Sequence, residues 1–207
     1  KDIPVDGGGD KTAATNPAIY VSRYGTLTLD DGAVLRNCKS QYYAGGAVGL
    51  FAGTSEFVMN GTARMEDNEA DYGGGVYVAN ILAAFTMNGG TISSCTAQQG
   101  GGVYVDGSST FTMNDGSIAS CTAVNGGNSV FVVKPSASFT MTGGTVDGSI
   151  ALPYKVGNNT VYMDGLGTAA YPYQISTADQ LKLFRDKVNN VTKEADTQIC
   201  AELTEDI

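Results

Sequence analysis

The chain contains no histidine and no tryptophan, and only five of its 207 residues are proline. Without histidine it lacks the usual acid-base side chain of neutral pH, and with no C-x-x-C pair either, no zinc site is expected. No apolar run approaches the length of a membrane-spanning helix, which predicts no membrane insertion. Lysine and arginine total 12 against 21 acidic residues, and the net charge of -9 disfavours nucleic acid as a partner.

What the chain has in quantity is glycine, with 28 residues, beside 42% hydrophobic residues. Such glycine content without a G-X-Y period indicates a chain that turns often around a sizeable core. The sequence starts at Lys1 and shows no signal peptide. We interpret it as a segment of a longer, processed protein.

The most informative feature is an internal repeat. Four phenylalanines, each followed two residues later by methionine, recur at separations of 28, 26 and 28 residues: Phe57, Phe85, Phe111 and Phe139. Their phrases read FVMN, FTMN, FTMN and FTMT, and LTLD is an earlier, degenerate copy. A glycine-rich phrase, GGAV or GGGV, starts at Gly45, Gly73 and Gly100, and NTVYM (159–163) reads as a worn later copy.

Apolar and polar residues alternate inside each copy. Val103, Val105 and Phe111 should face inward, whereas Tyr104 and Thr112 should face outward. A period of two over short runs is typical of strands with one buried face. Three such runs occur in each copy, and no helical stripe lies between them.

Three short strands per repeat predict one coil of an all-β fold, a single-stranded right-handed parallel β-helix. About six coils would fill residues 1–165, and residues 166–207 would form a linker, a short helix and a strand. Equivalent strands of successive coils would pair in parallel about 4.8 Å apart, so that identical side chains stack. An antiparallel sandwich is the alternative, but it does not require near-verbatim copies.

Glycine and asparagine are expected at the corners of the coils. The glycine pairs would supply positive φ or close approach of stacked backbones. The asparagines after each methionine would adopt the left-handed conformation or bond the local backbone: Asn60, Asn88 and Asn114.

These phrases resemble the GGA[ILV] and FxxN repeats of chlamydial polymorphic outer-membrane proteins and of adhesin-like β-helix proteins from gut bacteria and methanogens. Residues 45–48 match the first phrase, residues 57–60, 85–88 and 111–114 match the second, and residues 139–142 depart at the last position. The resemblance covers about residues 17–164. It implies an extracellular region used in surface attachment and no catalytic residues.

The tail carries a different pattern. Thr177 and Gln180 read as a capping box for a helix that ends near Asn189, with Leu181, Phe184 and Val188 on one face. The phrases YQISTADQL (173–181) and LTEDI (203–207) resemble the start of modules in Gram-positive surface proteins. The helix either begins such a module or caps the open end of the coils.

Cys38, Cys95 and Cys121 fall at equivalent positions of their copies, with Asn68 at that place in the second copy. Cys95 and Cys121 would lie on adjacent coils with Cα atoms about 5 Å apart, but parallel Cβ directions are poor geometry for a disulfide. We expect buried free thiols and keep a disulfide as the alternative.

Asp67, Glu69 and Asp71 are spaced like the first ligands of a calcium loop. Tyr72 and Val78 stand where an EF-hand needs glycine and glutamate, so an EF-hand is excluded. The three acids remain candidates for a looser calcium site, although a solvated acidic corner is the simpler interpretation. No other cofactor is expected.

Aromatic residues align in one outward column, with Gly49 as a gap: Tyr20, Tyr77, Tyr104, Phe131 and Tyr162. Such rings support one another as cross-strand pairs. They would also form a platform for sugar rings. If the chain binds a ligand, we expect the stripe Tyr77, Tyr104, Phe131 and Tyr162, with the gap at Gly49, to bind it.

Pectate lyases and polygalacturonases share the parallel β-helix, so an enzyme must be considered. From Met65 to Val133 there is no lysine or arginine to handle a uronate. Hydrolysis needs two carboxyl groups about 5 to 10 Å apart, and Asp31 and Asp115 would lie three coils apart. We therefore predict no enzymatic activity.

The sequence predicts a non-catalytic, adhesin-like structural module that is secreted and lies on the bacterial cell surface. Its partners would be neighbouring modules of the same chain and a host or dietary glycan or a surface protein. The alternative is a polysaccharide-binding or polysaccharide-degrading β-helix protein.

Overall fold

The repeated coils fold into a parallel β-solenoid of about six turns, which confirms the predicted right-handed β-helix with a C-terminal helix. The computed structural model describes residues 4–6, 16–40, 44–156, 159–189 and 199–205. The chain divides into two compact units, Lys1–Ser149 and Ile150–Ile207. The domain boundary predicted at 165/166 falls inside the second unit.

The first unit is built from short strands because Gly, Ser, Asn and Asp interrupt each apolar run. In chain order they are β1 (Pro4–Asp6), β2 (Ile19–Val21), β3 (Thr26–Leu29), β4 (Val34–Arg36), β5 (Val48–Leu50), β6 (Glu56–Met59), β7 (Arg64–Glu66), β8 (Val76–Val78), β9 (Ile81–Ser93), β10 (Thr96–Ala97), β11 (Val103–Val105), β12 (Ser108–Ala119), β13 (Thr122–Ala123), β14 (Val130–Val132), β15 (Ser138–Met141) and β16 (Thr145–Val146).

These strands stack in parallel rows along the solenoid. One row runs β2-β5-β8-β11-β14, a second β3-β6-β9-β12-β15, and a third β1-β4-β7-β9-β12-β16. β9 and β12 each continue through a corner and so belong to two rows, with register shifts at the bend. β10 and β13 pair at a further corner.

The register is the one that the repeat predicts. Phe57 pairs with Phe85, Phe85 with Phe111, and Phe111 with Phe139. Their ring centroids are 4.6, 4.6 and 4.8 Å apart. The first three rings are fully buried, while Phe139 in the last of these coils is only half-buried. The inside positions predicted from alternation are therefore confirmed.

The coil corners require glycine pairs for two steric reasons. Gly73 has a φ of +64°, and a Cβ there would lie 2.1 Å from the carbonyl oxygen of Val76. A Cβ on Gly74 would lie 2.5 Å from the carbonyl oxygen of Gly101 in the next coil. Positive φ and close backbone approach, the two roles expected of the glycines, both occur.

The asparagines after each methionine have a different role from the one predicted. Asn88 donates a side-chain hydrogen bond to Asn60 (3.0 Å) and accepts one from Asn114 (2.8 Å). The amide ladder continues to Asp30 at one end and to the Thr142 hydroxyl at the other. Left-handed corners are formed instead by other polar residues, with φ of 53° to 56°: Asn37, Asp67, Ser94 and Ser120.

The second unit contains β17 (Ile150–Val156), β18 (Asn159–Asp164), β19 (Tyr173–Ile175), α1 (Ala178–Asn189) and β20 (Ala201–Leu203). β17 and β18 pair antiparallel, so the prediction of NTVYM as a parallel coil is wrong. β19 and β20 pair in parallel, and α1 lies between them in the sequence. The predicted helix and strand are confirmed.

Helix α1 begins with the predicted capping box. The backbone N–H of Gln180 donates to the Thr177 hydroxyl (3.2 Å), and that of Thr177 donates to Gln180 Oε1 (3.1 Å). Of the predicted apolar face, Phe184 packs against the core of this unit, whereas Leu181 and Val188 are exposed and their prediction is wrong. Leu183 is buried instead, since it packs with Met163, Tyr173 and Ile175.

Candidate functional site

The outward aromatic column is continuous from Tyr20 to Phe131. Phe51 fills the predicted gap at Gly49, where a Cβ would lie 2.2 Å from its Cε2 atom. Its ring centroid lies 4.7 Å from that of Tyr20 and 5.2 Å from that of Tyr77. Sequence alignment missed Phe51 because it lies two residues after the column position that Gly49 occupies. The gap offered as part of a ligand site is therefore absent.

The aromatic ladder presents ring edges rather than ring faces. The rings of Tyr77 and Tyr104, and of Tyr104 and Phe131, are within 12° of parallel, with centroids 5.4 and 5.8 Å apart. Tyr104 and Phe131 are buried, whereas Tyr20 at the ladder's end is half-exposed. A sugar stacks on an open ring face. Because neighbouring rings cover most of these faces, the ladder offers little surface on which a sugar ring can stack.

Tyr77 is the one half-buried tyrosine in the middle of this ladder. Burial raises the pKa of its hydroxyl, and the Asp106 carboxylate and Tyr72 add to that rise. The phenol therefore stays neutral at physiological pH and donates or accepts hydrogen bonds without carrying charge.

Tyr162 is the last residue of the predicted stripe. It stands on β18 in the second unit, opposite Pro153 of the antiparallel strand β17. Its backbone carbonyl accepts a hydrogen bond from Gln180 Nε2 at 2.8 Å. Its place in the stripe stays a prediction, although β18 is not the parallel coil that the alignment assumed.

The three acids of the calcium hypothesis take separate positions. Asp67 is exposed at a left-handed corner, and Glu69 forms an ion pair with Lys39, whose Nζ lies 2.6 Å from Glu69 Oε1. Asp71 lies beside a groove described below. Across the described ranges, no three His, Cys, Asp or Glu side chains gather as a metal cluster.

The cysteine column lies inside the solenoid. Cys38, Cys95 and Cys121 are buried, and all four cysteines of the chain are free thiols. Asn68 occupies the same column, accepts a hydrogen bond from the backbone N–H of Cys38 (3.0 Å) and donates to the Leu35 carbonyl (3.1 Å). The hydrogen bond with Cys121 and burial raise the pKa of the Cys95 thiol well above its ordinary value.

Asp31, one of the acids weighed for catalysis, and Asp106 both make structural contacts. Asp31 Oδ1 accepts hydrogen bonds from the backbone N–H of Thr62 (2.8 Å) and from its hydroxyl (3.3 Å). Asp106 pairs with Lys134 at 2.9 Å and accepts the N–H of Gly107. Both carboxylates hold corners of coils.

A groove that sequence reasoning missed opens at the corner formed by three coils. Its floor consists of the small residues Ser40, Ala70 and Ala97, and polar side chains line both sides. The groove measures about 320 Å³. We call it the corner groove. Its only sequence signal appears when the copies are aligned: equivalent positions hold small residues, and the positions on either side of them hold polar ones.

Comparison with known protein families, curated proteins and solved structures found no match. In the described part of the chain, no helix combines the length and apolar character needed to cross a membrane.

Proposed function

We propose that the chain is a non-catalytic, adhesin-like structural module, secreted and carried on the outside of the bacterial cell. The observation that supports this proposal is the set of continuous ladders that join coil to coil. Inward phenylalanine rings and outward aromatic rings stack on rings of the next coil. The asparagine side chains donate hydrogen bonds to their equivalents in the neighbouring coil. These side chains serve stacking rather than chemistry.

A stack of this kind suits projection and display. Each coil adds about 4.8 Å, so six coils extend roughly 30 Å without a separate core for each segment. Corners outside the asparagine ladder vary without disturbing the stacked rings, which leaves those corners available for binding. The net charge of -9 keeps neighbouring copies apart in solution.

Surface labelling of cells that carry the gene tests location. Antibodies raised against this chain should label intact cells, and external protease should remove the label while a cytoplasmic control protein stays intact. Labelling that appears only after the cells are permeabilised would overturn the proposal.

A degradative enzyme is the competing function. Incubation with pectin, polygalacturonate and common β-glucans, with and without Ca²⁺, should release no more reducing or unsaturated product than heat-inactivated protein does. Product above that control would replace the structural proposal with a polysaccharide-degrading one.

Polysaccharide binding is the second candidate function. The corner groove favours it, because polar side chains and a small-residue floor lie together in an open channel. Pockets that bind ligands have volumes of about 300 to 1,000 Å³, and this groove lies at the lower end of that range.

A further inference from the structure

The corner groove runs along the solenoid across three coils, and Val124 of the next coil also lines it. Lys39, Glu69 and Thr96 are register partners and form one side. Asp71 and Gln98 form the other side, joined by a hydrogen bond from the Gln98 N–H to the Asp71 carbonyl at 2.9 Å. Neighbouring coils lie about 4.8 Å apart, so the groove offers three polar rungs over about 10 Å.

A buried polar group beneath the groove floor has no hydrogen-bond partner in the part of the chain that the structure describes. Ser40 is 2% exposed, and its Oγ atom has no hydrogen-bond partner among the described residues. The two floor positions of the following coils are alanines, Ala70 and Ala97. Because this oxygen is fully buried, it lies beneath the floor, and a ligand in the groove does not reach it.

The charges of the groove select against anions. Lys39 is neutralised by Glu69 at 2.6 Å, so the Asp71 carboxylate leaves a net negative charge among the lining residues. The whole chain is also acidic, at -9. Uronates, sialylated glycans and phosphorylated ligands would therefore be repelled.

The lining contains both hydrogen-bond donors and hydrogen-bond acceptors within a short distance. Lys39 donates, Asp71 accepts, and the Thr96 hydroxyl and the Gln98 amide do both. Ala97 and the highly exposed Val124 add apolar surface beside them. A ligand that matches this pattern is neutral, has many hydroxyl groups and carries patches of C–H.

We propose that the corner groove binds a neutral oligosaccharide, a short segment of a glycan chain lying along the solenoid axis. Its hydroxyls bond Asp71 and Gln98, and its C–H surface lies on Ala97 and Val124. This inference rests on the proposed function, since it names the ligand class that the displayed surface takes. The aromatic ladder takes no part in it.

The test uses the purified chain and an array of neutral and anionic oligosaccharides, followed by calorimetry on the best neutral compound. We expect millimolar to micromolar binding of neutral compounds. The double variant Asp71→Asn/Gln98→Ala should weaken binding at least tenfold. A matched double variant on another exposed face, Glu56→Gln/Thr110→Ala, should bind like the parent chain, and circular dichroism should show all three chains folded.

A second pair of variants separates the groove from the aromatic ladder. Val124→Arg, at an exposed position on the groove wall, should weaken binding, whereas Tyr20→Ala at the end of the ladder should not. Loss of binding only in Tyr20→Ala would overturn the groove assignment in favour of the ladder. Equal binding by parent and groove variants would overturn it as well.

Other results would overturn the ligand class. Binding of anionic glycans alone, binding of peptides in place of saccharides, or no saccharide binding at millimolar concentration would each do so. None of these results tests the surface-module proposal. The cell-labelling experiment tests that proposal independently of any ligand.

Discussion

The buried polar column shows how single residues adapt to the inside of a solenoid. Cys38, Cys95 and Cys121 donate their thiols to backbone carbonyls two residues earlier, at 3.3 to 3.5 Å. Asn68 fills the same place in one coil and satisfies the backbone groups of the coil beside it. Small side chains with weak hydrogen-bonding needs suit this position because the preceding residue turns left-handed.

Burial predicts the reactivity of the four thiols. Cys200 is partly exposed, while the other three are at most 4% exposed. Because the thiolate is the reactive form, the raised pKa of Cys95 slows its reaction further. A thiol reagent at pH 8 should label one thiol quickly and three only after denaturation. Cys200→Ser should abolish the fast phase, and fast labelling of two or more thiols would contradict the buried column.

The Asp164 carboxyl is largely removed from solvent, and this burial disfavours its ionised form. Burial raises the pKa of its carboxyl, so the folded state holds this proton to higher pH than the unfolded chain does. Its contribution to stability is therefore present below the ordinary pKa of about 3.9 and is lost as the pH rises through the raised value.

Asp164→Asn should raise the thermal unfolding midpoint at pH 7 because the neutral amide avoids this cost. The difference from the parent chain should shrink as the pH falls toward 4. Thermal unfolding at several pH values checks this, and an equal or lower midpoint for the variant at pH 7 would contradict the claim.

Ladders are the elements that hold the coils together. The phenylalanine ladder lies inside, with parallel rings 4.6 Å apart, and the asparagine ladder lies at a corner. Each internal member contacts an equivalent residue on both sides, whereas an end member has one such neighbour. Position along a ladder should therefore set the cost of removing a side chain.

Phe111→Ala should lower the free energy of unfolding by about 3 to 5 kcal/mol, since Phe111 is fully buried between Phe85 and Phe139. The matched change Phe139→Ala should cost less, because Phe139 is only half-buried. Urea unfolding of both variants measures the difference. A larger loss for Phe139→Ala would show that the internal and end positions of this ladder are misassigned.

Asn88→Ala should cost about 1 to 2 kcal/mol, because it removes the hydrogen bonds to Asn60 and from Asn114. Thr142→Asn restores the FTMN phrase and offers Asn114 an amide partner, so it should be neutral or stabilising. Chemical unfolding measures both variants. An Asn88→Ala chain as stable as its parent would indicate that the ladder is only a consequence of register.

At the scale of the whole molecule, the solenoid behaves as a stack of nearly interchangeable coils. Each coil pairs only with the coils before and after it, in the register set by Phe85 and Phe111 and their equivalents. The stack should therefore tolerate removal of a complete coil.

Deletion of residues 85–110 removes one period of 26 residues and joins Ala84 directly to Phe111. The shortened chain should fold, with a β-type circular dichroism spectrum and a smaller denaturant slope. Deletion of residues 85–109 shifts the alternation by one residue and turns apolar side chains outward, so it should unfold or aggregate. Equal behaviour of the two deletions would contradict stacking in register.

The sequence by itself determined the coil, because a strand repeat that hides one face needs an equivalent neighbour. The spacing of Phe57, Phe85 and Phe111 was enough to establish the parallel register, and the capping box was enough to place α1. Alternation with a period of two also separated inside from outside, as Val103 and Val105 show. These features depend on contacts between residues that the repeat makes equivalent.

Only the tertiary structure decided the features that join non-equivalent residues. Phe51 fills the place beside Gly49 from two residues away, β18 reverses direction, and α1 buries Leu183 rather than Leu181. The corner groove likewise arises where three coils bring two polar files to either side of small residues. Periodicity carries no information about such contacts, because they depend on how corners bend and which surfaces meet after the coils have stacked.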